Sequence, residues 1–150
     1  MSNWICKKFD DLTPPELYAC LQLRNEVFVV EQNCVFQDAD DKDQFCFHVM
    51  CWNEKKLIAY TRIAPAEICY EEVSIGRVVT SPSERGKKIG KELMQRSIDI
   101  AFSLFPNASS IKIGAQLYLK KFYESFGFVQ YSDIYIEDGI EHVKMLLQSE

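Results

Sequence analysis

Apolar positions along the chain keep two different rhythms, and the changes of rhythm mark its elements. Thr13-Pro14-Pro15-Glu16 has the makings of a helix start. Threonine caps, proline is tolerated in the first turn, and the glutamate completes a capping box. Behind it Leu17, Cys20, Leu21, Arg24, Val27 and Phe28 recur at helical spacing, with an arginine inside the apolar stripe. A polar, acidic loop then runs from Gln37 to Gln44. Phe45 to Trp52 and Lys56 to Ala64 predict two strands joined near Asn53-Glu54 as a hairpin. Val73 to Thr80 is β-branched and predicts a third strand. Ser81-Pro82-Ser83 ends it, because proline cannot donate to a sheet ladder.

The clearest helix is Lys88 to Leu104, where Ile89, Leu93, Ile98, Ala101 and Leu104 share one face and Pro106-Asn107 stops the run. Ile111 to Ala115 reads as a short buried strand and Leu117 to Phe126 as a short helix. Gly127 stands where a left-handed C-cap belongs. Strands Val129 to Ile136 and His142 to Leu147 flank Asp138-Gly139, a good hairpin pair. The order is a helix, antiparallel strands, then β-α-β-α-β-β. There is no repeat, low-complexity tract or linker, so residues 1–150 read as one domain.

Composition narrows the function classes. At 150 residues the chain is long enough to bury a core without disulfides or metal, and 47% apolar with 26% charged residues suits a soluble globular protein. A net charge of −5 argues against general nucleic-acid binding. No apolar run approaches the ~18–20 residues that span a membrane. The start, Met1 to Lys8, has no signal-peptide pattern. Six cysteines at 6, 20, 34, 46, 51 and 69 include no Cys-x-x-Cys, so free buried thiols and a cytoplasmic location are expected.

Chemistry concentrates between Ile75 and Lys91. A buried strand leaves the sheet through a proline-bearing loop and enters a long helix. Free backbone N–H groups and the positive end of the helix dipole converge there, a setting that suits a phosphate. Gly86 and Gly90 permit close backbone approach, and Arg85, Lys87, Lys88 and Lys91 add four positive charges. A solvated helix start carrying lysines for solubility is the other reading of these residues. The P-loop and dinucleotide spacings are both absent.

Arg85-Gly86-Lys87-Lys88-Ile89-Gly90 resembles the coenzyme-binding motif of the GCN5-related N-acetyltransferases, Arg/Gln-x-x-Gly-x-Gly/Ala, with Lys88 in place of its middle glycine. Gln116 to Phe128 resembles the family's second signature, a polar amide residue seven before the tyrosine of Tyr-Glu-x-x-Gly-Phe. Here these are Gln116 and Tyr123. Leu21 to Cys34, followed by Asp38 and Asp40, is similar to the ElaA-like branch. The resemblance spans residues 12 to 147. It implies an α/β fold with a mixed sheet of about six to seven strands and helices on both faces. The implied activity is direct transfer of an acetyl group from acetyl-CoA to a primary amine, with a small-molecule or peptide acceptor and a second copy of the chain as candidate partners. The alternative is an acyl-CoA-binding sensor without turnover.

In the resemblance, the backbone of Val78, Val79 and Thr80 pairs with the pantetheine arm. Amides from Arg85, Gly86, Lys87, Lys88, Ile89, Gly90 and Lys91 hold the pyrophosphate, Gln116 belongs to the coenzyme site, and Tyr123 protonates the departing thiolate. Many relatives carry a glutamate base where this chain has Ser74; Glu72 is the nearest carboxylate, either a base acting through water or a surface charge at the strand start. Arg24, His48 and Arg77 occupy positions expected to be apolar, Arg77 sharing a strand face with Val73, Ile75 and Val79. Each is either tied to a carboxylate of Glu31 or the Asp38–Asp43 loop, or lines the acceptor pocket with Phe28. A buried arginine requires such a partner. No metal is expected: Cys46 and His48 would face away from Cys51, and Asp38-x-Asp40 lacks the rest of a calcium loop.

Overall fold

A computed structural model describes residues 2–150. One sheet runs through them, in strand order β1-β2-β3-β4-β5-β8-β6, with β7 added on β8. The strands are β1 (Ser2–Lys8), β2 (Phe47–Asn53), β3 (Lys56–Ala64), β4 (Val73–Thr80), β5 (Ser110–Gln116), β6 (Val129–Gln130), β7 (Tyr135–Glu137) and β8 (Ile140–Gln148). Every pairing is antiparallel except β4 with β5.

Eight strands replace the six or seven expected, for two local reasons. The N-terminal segment had no predicted role; it alternates Trp4 and Cys6 toward one face with Ile5 toward the other, and pairs along β2 as an edge strand. The single strand expected from Val129 to Ile136 is two short pieces. Tyr131 leaves β6 and the Ser132 hydroxyl takes a ladder position on Lys144 N at 2.8 Å.

Helices cover both faces. α1 (Pro14–Arg24) carries the predicted capping box in full: Thr13 Oγ1 accepts from Glu16 N at 3.2 Å, and Glu16 Oε1 accepts from Thr13 N at 2.8 Å. It runs on into a π-helical stretch, Asn25–Glu31. Cys20, Leu23, Arg24 and Val27, at ordinary helical spacing, form its buried stripe. α2 (Ile89–Leu104) and α3 (Lys120–Glu124) lie on the other face, where Leu93, Met94, Ile98 and Tyr123 pack on Val73, Ile75, Ile113 and Val143.

β4 is the pivot of the molecule. Its register on β3 slips by one residue between Tyr60/Val79 and Arg62/Gly76, so Arg77 and Val78 together oppose Thr61. Arg77 sits in this bulge with φ +52°. The extra residue reverses the in/out alternation, because side chains change face with every residue. Val73 and Ile75 therefore face α2, whereas Val79 faces α1. The single face expected for Val73, Ile75, Arg77 and Val79 is corrected accordingly.

Candidate active site

Parallel strands β4 and β5 are paired only at Val73–Ile111 and Ser74–Lys112, and beyond those residues they part. The wedge between them opens into a cleft of about 920 Å³ that runs from the start of α2 to the β7–β8 hairpin. From Ile75 onward β4 has β3 on one side and an unpaired edge toward the cleft on the other. Val78, Val79 and Thr80 line it there, with Gln116 opposite at the end of β5.

The helix start at the mouth of the wedge keeps its amides free, while in the loop before it Arg85 N and Lys87 N donate to the carbonyls of Pro82 and Glu84. The N–H groups of Ile89, Gly90 and Lys91 begin a helix and have no intrahelical acceptor. Gly86 has φ +84°, and Lys88, the N-cap of α2, has φ +64°. Lys88 therefore takes the left-handed conformation natural to glycine, so the substitution keeps the shape of the loop and strains one residue. Arg85 is held by Glu31 through two hydrogen bonds of 2.6 Å each. Those bonds pull the Glu31 carboxyl below its ordinary range. Lys87, Lys88 and Lys91 point to solvent.

Tyr123 reaches the cleft from α3, with its ring edge-on to Phe122 and Phe128. It is only 6% exposed. Burial, reinforced by nearby Tyr118, pushes its phenol up, so the hydroxyl stays protonated over the ordinary pH range. Ser74, where a base was sought, is buried against the floor of the cleft.

Glu72 is not on the cleft. It lies at the closed end of the wedge, 3.7 Å from Lys112 Nζ, with Oε1 buried and lacking a hydrogen-bond partner. Parity along β4 had placed it with Ser74, but the chain has already left the sheet at that point. The base role is corrected on this ground.

The misplaced cations form one buried network. Arg24 donates to Asp38 at 2.6 Å, to Asp43 at 2.8 Å and to the Asp38 carbonyl at 3.2 Å. Arg62 donates to Asp40 and Asp43, and Arg77 to Asp38 at 2.8 Å. Burial alone would raise the Asp40 carboxyl, but Arg62 and then Arg77 hold it at about 2. Tyr60, its phenol pushed up by burial, lies 2.6 Å from His48 Nδ1, and His48 Nε2 donates to the Asp43 carbonyl at 3.0 Å. Burial also keeps His48 neutral by lowering its pKa. Arg24 and His48 are each 1% exposed and do not line the cleft. As candidates for the acceptor pocket they are corrected: satisfied partners and burial make them supports of the loop. Arg77 and Phe28 do line it.

Sequence reasoning missed the hairpin end of the cleft. The Asp138-Gly139 turn was visible, and both residues have positive φ there, 52° and 77°. What the turn carries was not. His142, Glu137 and Asp138 bound the cleft together with Tyr70, and the Tyr70 and Tyr135 hydroxyls converge on Gly114, where an added Cβ would lie 3.0 Å from each. Two contacts bridge the rims above: Gln116 to Gln32 at 3.4 Å and Cys34 Sγ to the Asp138 carbonyl at 3.3 Å. Among the described residues no group of side chains suits a metal ion, and no helix is long and apolar enough to cross a membrane.

Comparisons with known proteins agree with this geometry. The acetyltransferase (GNAT) domain family matches residues 17–149. Protein ElaA of Escherichia coli is 41% identical over 147 residues, 97% of this chain and 95% of that protein. The crystal structure of an acyl-CoA N-acyltransferase from Pseudomonas aeruginosa superposes with a TM-score of 0.93 at 40% identity, covering 98% of this chain and 99% of that one. The crystal structure of E. coli ElaA superposes with a TM-score of 0.91 at 39% identity, covering 97% and 99%.

Proposed function

Since the chain belongs to the GCN5-related N-acetyltransferase (GNAT) family and is an acyltransferase, we propose that it transfers an acetyl group from acetyl-CoA directly to a primary amine. One observation carries this reading: the unpaired edge of β4 ends beside the free amides of a helix start. A pantetheine arm has amide groups that add to a strand edge, and a pyrophosphate is an acceptor for converging N–H groups. Val78, Val79 and Thr80 would take the arm. The loop from Arg85 to Lys91 would take the pyrophosphate, with Arg85 exchanging Glu31 for phosphate, and Gln116 would close the far side.

Transfer needs three proton movements. The amine must give up a proton to expose its lone pair, since an alkylammonium has a pKa near ~10.4. Its nitrogen then attacks the thioester carbonyl carbon, a C–N bond forms, and the C–S bond breaks with its electron pair on sulfur. Tyr123, still protonated, would donate to that sulfur, and the second proton shed by the new amide nitrogen would restore the phenol. Free thiols suit a reducing compartment, and we assign the protein to the cytoplasm.

Calorimetry with coenzyme A and acetyl-CoA tests the reading. One site per chain is expected, with a thermal stabilisation of about 2.7 kcal/mol at 100 times Kd. Tyr123→Phe should keep that affinity and lower turnover of an accepted amine about 100-fold. Absence of binding by folded protein would overturn the proposal. An unchanged rate in the variant would remove Tyr123 as the acid.

A further inference from the structure

With Glu72 at the wrong end of the wedge and Ser74 in the usual place of a carboxylate, the amine lacks an evident proton acceptor. Most carboxylates on the cleft are already engaged. Glu31 holds Arg85, Asp38 holds Arg24 and Arg77, and Asp40 holds Arg62 and Arg77. What stays open lies on the β7–β8 hairpin.

His142 is 7% exposed and borders the cleft. Its strand position faces Gln116 across the β5–β8 ladder, on the same side of the sheet as Lys144 and Gly114. Nδ1 lies 2.7 Å from the Ile140 carbonyl. A carbonyl only accepts, so Nδ1 carries a hydrogen and the neutral ring has its lone pair on Nε2. Nε2 stands 3.7 Å from Glu137 Oε2. The ring is stacked on Tyr135, 5.7 Å between centroids at 28°, which fixes its plane.

In the neutral ring, therefore, two acceptors face one gap with no hydrogen between them. An ammonium group satisfies both. The charged groups around the gap are Glu137 and Asp138 of the hairpin and Lys144, which lies over the far ring of Tyr135. Tyr70 lines the same cleft, its hydroxyl converging with that of Tyr135 on Gly114.

We propose that the gap between His142 Nε2 and Glu137 receives the acceptor as an alkylammonium, and that His142 takes its proton. The acceptor class is thus a cationic primary alkylamine. The ammonium N–H breaks, its proton passes to Nε2, and the freed lone pair attacks the thioester carbon; the nitrogen's second proton leaves as the C–S bond breaks and replaces the one that Tyr123 gives to sulfur. Glu137 stabilises the resulting imidazolium, which later returns its proton to water. This deepens the acetyl-transfer reading and rests on it.

The test uses the full chain loaded with coenzyme A, whose binding is first measured by calorimetry; failure at that step strikes the acetyl-transfer reading and not the hairpin. The imidazole ¹⁵N resonances are then followed, His142→Gln identifying which ring is which. The expected result is an Nδ1–H tautomer for His142 and a saturable shift of its Nε2 on adding 1,4-diaminobutane, none with 1,4-butanediol, and a weakened shift in Glu137→Gln. Acetyl transfer to 1,4-diaminobutane should fall about 100-fold or more in His142→Gln with coenzyme affinity unchanged, and the lost rate should return as pH rises toward the amine's own pKa. An Nε2–H tautomer, a shift equal for amine and diol, a coenzyme-binding wild type that leaves the diamine unacetylated, or a variant within about threefold of wild type would each overturn the assignment.

Discussion

Two sets of positive charge, one from α1, β3 and β4 and the other from the loop before α2 and its first turn, behave in opposite ways. Arg24, Arg62 and Arg77 are sunk among Asp38, Asp40 and Asp43, each held by a carboxylate within 3.0 Å. Arg85, Lys87, Lys88 and Lys91 stand in water, Arg85 on exposed Glu31, Lys87 at 3.6 Å from half-buried Glu84, and the others on no carboxylate among the described residues. A buried charge without its partner is severely destabilising, so the first set is committed to holding the loop between α1 and β2 against the sheet. An exposed charge costs little either way, so the second set remains free to meet an anion. Equal chemistry yields scaffold in one place and binding surface in the other, and burial decides which.

The sharpest way to break the contrast is Arg24→Met, which strands Asp38 and Asp43 in part. It should cost about 3 kcal/mol or more of stability by urea unfolding. A loss below about 1 kcal/mol would show that the network is not what holds the loop.

Acid should act chiefly on the buried set, because Glu31, though also lowered by Arg85, is exposed. His48 has a lowered pKa in the folded protein, so stability falls as pH drops below the ordinary 6.5, where the unfolded chain takes the proton first. Asp40 is held at about 2 against an ordinary 3.8, so its contribution is complete above 3.8 and lost as pH falls toward 2. Unfolding followed at a series of pH values should show both declines. Replacing His48 by Gln should flatten the upper one.

Lys91→Ala probes the exposed set. Stability should stay within about 0.5 kcal/mol, while coenzyme affinity falls several-fold at low salt and less at high salt. Equal loss at both ionic strengths would mean that the lysine does more than present charge. The smallest effect expected is from Lys88→Gly, which relieves the residue at φ +64°. A change of no more than about 1 kcal/mol is expected in either direction, since glycine also loosens the unfolded chain, and coenzyme affinity should be kept.

How much of this was legible depends on how local each feature is. The capping box at Thr13, the bounds of β4, the loop and helix after it, and the Asp138-Gly139 turn are properties of four to sixteen consecutive residues, and the structure has them within a residue or so. The candidate coenzyme surface is mostly one such stretch, which is why the motif could be read even with Lys88 in it. The rest of the cleft gathers Phe28, Tyr70, Glu137 and His142 from segments up to more than one hundred residues apart, and no spacing announces it.

Taken alone, the amino-acid order determined most of the helices and strands and where free amides would meet clustered cations, because capping, periodicity and proline act over a few bonds. Only the folded chain decided that β4 would carry a bulge reversing its faces, that β5 would part from it after two residue pairs, and that Arg24 would be buried with partners instead of lining the cleft. Those outcomes depend on which strand lies beside which, and a pairing partner drawn from dozens of residues away leaves no mark on the local pattern.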